Sequence, residues 1–255
     1  MTTTAPAGDD ERALLADRLA AVRARVADAC AAAGRDPRSV RVLLATKTVD
    51  AARVRAALAA DAAAVEADGT LAPVLIGENR VQELVAKGPA LADLGPVTHL
   101  IGPLQSNKVN AALRWVSCVE SVESLALARR LAGRCADRAT PLDVLVQVNV
   151  SGEPTKHGVT LDAAADLATT VAALPGLRLA GFMTVGLRSP DPAAVGAGYA
   201  ALAAVRDDVV ASGEPGTSEA RELSMGMSGD LEVAVRHGAT LVRVGSAVFG
   251  ARPPA

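Results

Sequence analysis

Short β-branched runs alternate along the chain with longer segments in which apolar residues recur every three or four positions. Eight runs read as strands: Val40 to Ala45, Pro73 to Gly77, Val97 to Ile101, Cys118 to Ser121, Asp143 to Val148, Arg178 to Val185, Leu223 to Met227 and Thr240 to Val244. Between them, segments such as Val122 to Asp137 and Leu161 to Leu174 carry the helical period, with an acidic residue in the first turn. Strand and helix in strict alternation predict an α/β fold. The count of eight and the length of 255 residues favour a closed (β/α)8 barrel of TIM type over an open doubly wound sheet. The last strand is not followed by an eighth helix. The long amphipathic stretch Asp10 to Ala33, ahead of the first strand, is predicted to fill that gap. Residues 1–8 read as a disordered tail, 9–252 as one barrel and 253–255 as a second tail. Asp61 to Leu71 reads as an insertion in the first helix-to-strand connection. Ser189 to Gly198 and Ala211 to Glu219 read as surface loops.

Composition narrows the function classes. Half the residues are hydrophobic, yet only Trp115, Phe182, Tyr199 and Phe249 are aromatic, so the core is expected to be Ala, Val and Leu. A net charge of -2 and so few aromatic rings disfavour nucleic-acid binding, which wants a basic footprint or stacking platforms. Three cysteines without C-x-x-C spacing suit a reducing compartment and offer neither a disulfide framework nor a metal site. The N-terminus lacks a secretory pattern, and the apolar stretch Leu167 to Gly186 is broken by Pro175 and Arg178, so no membrane span is expected. A cytoplasmic location follows as the expectation.

In such a barrel, chemistry sits at the C-terminal ends of the strands. The chain has 22 arginines but only four lysines, Lys47, Lys87, Lys108 and Lys156. An ammonium can lose its proton and attack a carbonyl, which a guanidinium cannot. Lys47 directly follows the apolar strand VLLA. Partial burial there would favour the neutral amine that a Schiff-base lysine needs, although a strand end reaching solvent is the competing reading. Lys87 reads as an exposed helix charge, Lys108 as an anion contact or cap, and Lys156 as a loop contact. The loops SMGMSGD and RVGSAVFG follow the seventh and eighth strands, where such barrels bind phosphate. Their glycines leave backbone N–H groups open, and Ser224 and Ser246 offer hydroxyls. Lysine plus phosphate cradle suits either pyridoxal phosphate or a phosphosugar aldehyde. Arg243 can face a pyridine nitrogen or form a rim salt bridge. His99 reads as a hydrogen-bonded barrel residue, His237 as a helix-end charge, and His157 as a residue without a visible acid partner.

Six ordered blocks carry a resemblance: LLATKT at 43–48, GENRVQEL at 77–84, HLIGPLQSNK at 99–108, VQVNVSGEPTKHGV at 146–159, LRLAGFMTV at 177–185 and LSMGMSGDLEVAVRHGATLVRVGSAVFGAR at 223–252. The chain resembles the pyridoxal phosphate homeostasis protein family, single-domain relatives of the alanine racemase barrel. The resemblance implies that Lys47 forms the internal aldimine with the cofactor. It places Ser224, Gly245 and Ser246 at the phosphate, Arg243 toward the pyridine nitrogen, and Asn79, Asn149 and Met225 along the cofactor.

Bound cofactor does not by itself make an enzyme. Racemisation needs an acid and a base on opposite faces of the substrate. Related racemases bring a tyrosine from a second domain, which is not expected here. Tyr199 falls between the sixth and seventh strands, and Cys118 at the wrong end of the fourth. An arginine at the ring nitrogen also weakens the electron sink. The expectation is therefore a protein that holds pyridoxal phosphate reversibly and helps regulate its supply, without efficient catalysis and with no catalytic residue assigned. Its expected partners are the cofactor and, transiently, pyridoxal-phosphate-dependent apo-enzymes, and a monomer is favoured. A pyridoxal-phosphate-dependent racemase is the alternative, and a Schiff-base aldolase acting on a phosphosugar the third reading.

Overall fold

The computed structural model describes residues 8–251. The two tails read from the sequence lie outside them, apart from Gly8, which precedes the first helix as its N-cap. Eight parallel strands close on themselves in sequence order: β1 (Arg41–Ala45), β2 (Leu75–Glu78), β3 (Thr98–Leu100), β4 (Cys118–Val122), β5 (Leu142–Gln147), β6 (Leu177–Met183), β7 (Glu222–Met227) and β8 (Leu241–Val244). Pairing of β8 with β1, Leu43 opposite Arg243, closes the barrel. The open doubly wound alternative is thereby excluded.

The helices are α1 (Asp9–Ala32), α2 (Ala51–Ala67), α3 (Val81–Leu91), α4 (Val109–Ala112), α5 (Leu125–Cys135), α6 (Leu161–Ala172), α7 (Pro192–Ala211), α8 (Leu231–Arg236) and α9 (Ser246–Phe249). Helix α9 is a single turn, and α1 packs against α2, α8 and α9, filling the place of a full eighth barrel helix. Its buried stripe, Leu15, Leu19, Val22, Val26 and Ala29, has the three-to-four spacing that the sequence carries.

Side chains alternate between two layers. Leu43, Leu75 and Leu241, with Ile101 packed on them, fill part of the barrel interior, while Cys118, Leu145 and Met183 fill another part. The larger apolar cluster lies between strands and helices and contains residues such as Leu44, Val242 and Val244. All three cysteines are free and buried. Among the described residues, no helix is long and apolar enough to cross a membrane.

Two segments depart from their sequence reading. Asp61 to Leu71 is largely helix, because its alanine run carries α2 on to Ala67. Asp61 is buried, pairs with Arg23 of α1 at 2.6 Å and accepts the Val74 N–H at 3.0 Å, so it ties α1 to the approach of β2. Ser189 to Gly198 turns helical at Pro192, where Asp191 accepts the Ala193 N–H and Pro occupies the first turn. Its glycines reflect close packing rather than a loop: a Cβ on Gly196 would lie 2.6 Å from His237 Nε2.

Candidate functional site

The strand ends with their loops surround a cavity of about 570 Å³ at the C-terminal mouth of the barrel. That size suits a small phosphorylated ligand. Lys47 enters from the turn after β1, Asn79 from the end of β2, Arg243 from β8, and Gly245 and Ser246 from the turn into α9. Five of the eight residues expected at a cofactor therefore line one cavity.

The other three do not. Ser224 is fully buried in β7, which continues three residues further before reaching the mouth. Its hydroxyl donates to Glu120 Oε2 at 2.5 Å and accepts from Arg243 Nη1 at 2.8 Å. Met225, on the opposite face of the same strand, joins the strand-helix core. Asn149 is spent on the loop after β5. Its Nδ2 donates to the carbonyls of Glu153 at 2.8 Å and Lys156 at 3.3 Å, and its Oδ1 accepts from Ser151. It thus shapes the loop that brings Thr155, Lys156 and His157 to the cavity.

The hydroxyl that does reach the mouth from β7 is Ser228, which the sequence reading passed over within the SMGMSGD block. The Gly245 and Ala247 N–H groups both point to Ser228 Oγ, each at 3.4 Å. Bonds of that length are weak, so these two donors retain capacity for a stronger acceptor such as a phosphate oxygen. A Cβ on Gly229 would meet nothing, and one on Gly245 would lie 3.2 Å from the Ala45 carbonyl. The donor set fits a phosphorylated aldehyde: an amine, open backbone N–H groups and a guanidinium share one cavity. Gln147 and Met183 also line it, and both were legible as mouth-end positions of β5 and β6.

Arg243 is a floor residue rather than a rim salt bridge, being only 6 % exposed. Its Nη2 donates to the Thr184 carbonyl at 2.6 Å and its Nη1 to Ser224. Below Ser224, the other oxygen of Glu120 sits 2.6 Å from His99 Nδ1. Burial raises the Glu120 pKa, but His99, Arg243 and Ser224 together outweigh it and hold the carboxyl below its ordinary value. His99 is thus the hydrogen-bonded barrel residue expected from the sequence.

His157 has the acid partner that the sequence did not reveal, Glu123 Oε1 at 3.2 Å. Lys156 Nζ donates to Glu153 and to the Gly186 carbonyl, a loop contact as expected. Tyr199 is buried on α7, donates to Asp230 at 2.8 Å and lies off the cavity; burial and Asp230 push its pKa far up. Cys118 stands at the N-terminal start of β4, fully buried with its pKa raised by desolvation. Lys87 is not an exposed charge. It is 9 % exposed and bonded to Glu78 at 2.7 Å. Its aliphatic stem and the salt-bridged head together allow that burial.

Comparison with known proteins shows the family and the fold. Residues 18–253 match the family described as alanine racemase, N-terminal domain. The chain is 42% identical to the pyridoxal phosphate homeostasis protein of Pseudomonas aeruginosa, over 93% of this chain and 96% of that one. A protein of Bifidobacterium adolescentis, described as unknown, superimposes with a TM-score of 0.86 at 38% identity, covering 96% of this chain and 98% of its own. PipY of Synechococcus elongatus, in its structure with PLP bound, superimposes at 0.76 with 30% identity, covering 92% and 100%.

Proposed function

Since the chain belongs to the pyridoxal phosphate homeostasis protein family, built on the alanine racemase N-terminal barrel, we propose that it holds pyridoxal 5'-phosphate in the barrel mouth and takes part in regulating its supply. The observation that carries this reading is the convergence of Lys47, Arg243 and the Gly245–Ser246 turn on one cavity. Bound there, the cofactor supplies an aldehyde that condenses with a primary amine with loss of one water. Lys47 is the amine placed to receive it. The Gly245 and Ala247 N–H groups with Ser228 and Ser246 would hold the phosphate. Arg243, held by Ser224 and the Thr184 carbonyl, would face the ring nitrogen as a donor and disfavour its protonation. Asn79 takes a place on the cavity wall.

The same arrangement supports storage without efficient amino-acid chemistry. Tyr199 and Cys118, the tyrosine and thiol weighed for the second face of a substrate, both lie off the cavity. One observation favours turnover instead: His157 lines the cavity with Glu123 behind it, a base with an orienting acid. Deuterium incorporation at Cα of L-alanine in heavy water separates the two readings, using protein loaded with the cofactor and Lys47→Ala as control. Exchange no faster than with free cofactor supports the holding function. Lysine-dependent exchange well above it identifies an enzyme, and loss of that exchange in His157→Ala would name its second base. Location in the cytoplasm, in keeping with three free thiols, and delivery to apo-enzymes belong to this proposal.

A further inference from the structure

We propose that Glu78, Glu83 and Lys87 form a clamp that fixes the backbone on both sides of Lys47 and so aims its amine into the cavity. This deepens the reading that Lys47 captures the cofactor aldehyde and rests on it. None of the three residues lines the cavity, so they are positioning residues.

The contacts converge on the two neighbours of Lys47. Lys87 Nζ donates to the Thr46 carbonyl at 2.7 Å, which accounts for its direction into the protein. Thr46 Oγ1 donates to Glu78 Oε1 at 2.5 Å. On the other side, the Thr48 N–H donates to Glu83 Oε2 at 2.7 Å. Lys87 closes the set by donating to Glu78 Oε1 at 2.7 Å and to Glu83 Oε2 at 3.2 Å. Lys87 thus joins the two carboxylates, and together the three side chains reach both flanking residues.

The backbone they hold is strained. Thr48 has φ 64°, the one positive value at a non-glycine position among the described residues. A β-branched residue disfavours that left-handed region, and such strain persists where the surroundings over-determine it. Thr48 is exposed, so packing of its side chain does not hold it there. The turn bond from the Val49 N–H to the Thr46 carbonyl at 3.0 Å, the Thr48 hydroxyl on the Lys47 carbonyl at 2.6 Å and the Glu83 bond to the Thr48 N–H hold it, and of these the Glu83 bond is the one that reaches in from another element.

Stability alone does not account for the cluster. Buried ion pairs contribute little compared with an apolar replacement of similar volume. Glu78 Oε2 moreover is buried with no hydrogen-bond partner. Burial raises the Glu78 carboxyl above its ordinary value, with Lys87 and Thr46 opposing the rise. A half-satisfied carboxylate beside the strained turn marks a site shaped for position rather than for stability.

The test measures the rate of covalent capture of pyridoxal phosphate at Lys47 by borohydride quenching of the full-length protein. Affinity for pyridoxine 5'-phosphate, which fills the site but has no aldehyde, is measured beside it. Glu83→Leu and Lys87→Met are expected to slow capture roughly tenfold or more while pyridoxine phosphate affinity changes less than about twofold, because misaim costs the reaction and not the occupancy. Glu83→Gln keeps an oxygen for the Thr48 N–H and is expected to recover most of the rate. Thr48→Gly in the Glu83→Leu background is expected to do the same, since glycine adopts φ 64° without a partner. Amide exchange at Thr48 reports the loosened turn directly. Should Lys87→Met not fold, the Glu83 and Thr48 variants carry the test on their own. Wild-type capture rates in folded Glu83→Leu overturn the clamp, as does equal loss of capture and of pyridoxine phosphate affinity. Absence of wild-type capture at Lys47 overturns the functional reading and the clamp with it; normal wild-type capture with unaffected variants overturns the clamp alone.

Discussion

Glu120 and Arg243 grip the same hydroxyl from opposite sides: Ser224 Oγ donates to Glu120 Oε2 at 2.5 Å and accepts from Arg243 Nη1 at 2.8 Å. A residue that its loop placed beside a phosphate is instead the link between a buried carboxylate and the guanidinium on the cavity floor. Ser224→Ala is therefore expected to lower stability by about 1–2 kcal/mol, the cost of leaving buried partners unpaired. Competition by inorganic phosphate for the site should not change. Urea unfolding and phosphate competition check the two halves, and a loss of phosphate competition would return Ser224 to the phosphate.

Glu120 makes acid stability a readout of the same network. Its folded-state pKa lies below the ordinary value of 4.5. The unfolded chain thus binds the proton more readily, and the stabilisation is present above pH 4.5 and lost as pH falls through the folded value. Glu120→Gln should flatten the acid side of the stability profile. At neutral pH it should cost roughly 3 kcal/mol, because Arg243 loses its buried counter-charge. Urea midpoints measured from neutral pH down to the acid limb test both the slope and the offset.

Gly102 fixes where Asn79 stands. A Cβ there would lie 2.1 Å from the Asn79 carbonyl oxygen, a backbone atom that cannot swing away. Gly102→Ala is expected to cost about 2–3 kcal/mol and to weaken cofactor binding through displacement of the β2 end. Thermal unfolding and a cofactor titration measure the two effects. Unchanged stability would show that the β2 and β3 ends yield more easily than their packing suggests.

Asp61 carries a similar prediction in a segment that the sequence presented as an addition. Asp61→Ala removes the partner of Arg23 and the acceptor of the Val74 N–H, and should cost about 3 kcal/mol. Exposed neighbours such as Ala62 and Ala63 should tolerate polar substitution with changes within about 0.5 kcal/mol. Denaturant unfolding of the two kinds of variant distinguishes a stitched helix from a dispensable insertion.

The barrel was legible from eight short, largely apolar runs, each within two residues of a strand's ends, separated by longer segments with apolar repeats at three and four. Lys47 was legible because lysine is rare in this chain and this one follows a buried strand. The composition of a loop was a poorer guide. The strand was read to end at Met227, yet Ser224 was grouped with the SMGMSGD loop that follows it; of that block Met227, Ser228 and Gly229 reach the mouth. Alternation along the strand was the signal that separates inward Ser224 from outward Met225. Lys87 was misread because its helix looks exposed in sequence. The signals beside it were Glu83 four residues earlier on the same face and Glu78 at the preceding strand end. Pairing across sequence, such as His157 with Glu123 or His99 with Glu120, left no local trace at all.

The most direct test of the account is the map of covalent attachment. Protein incubated with pyridoxal 5'-phosphate is reduced with borohydride, digested and sequenced by mass spectrometry, with Lys47→Ala alongside. With only four lysines in the chain, each can be read separately. A single stoichiometric phosphopyridoxyl group is expected on Lys47 and none in Lys47→Ala. Attachment chiefly at Lys108 or Lys156, or labelling that survives loss of Lys47, would contradict it.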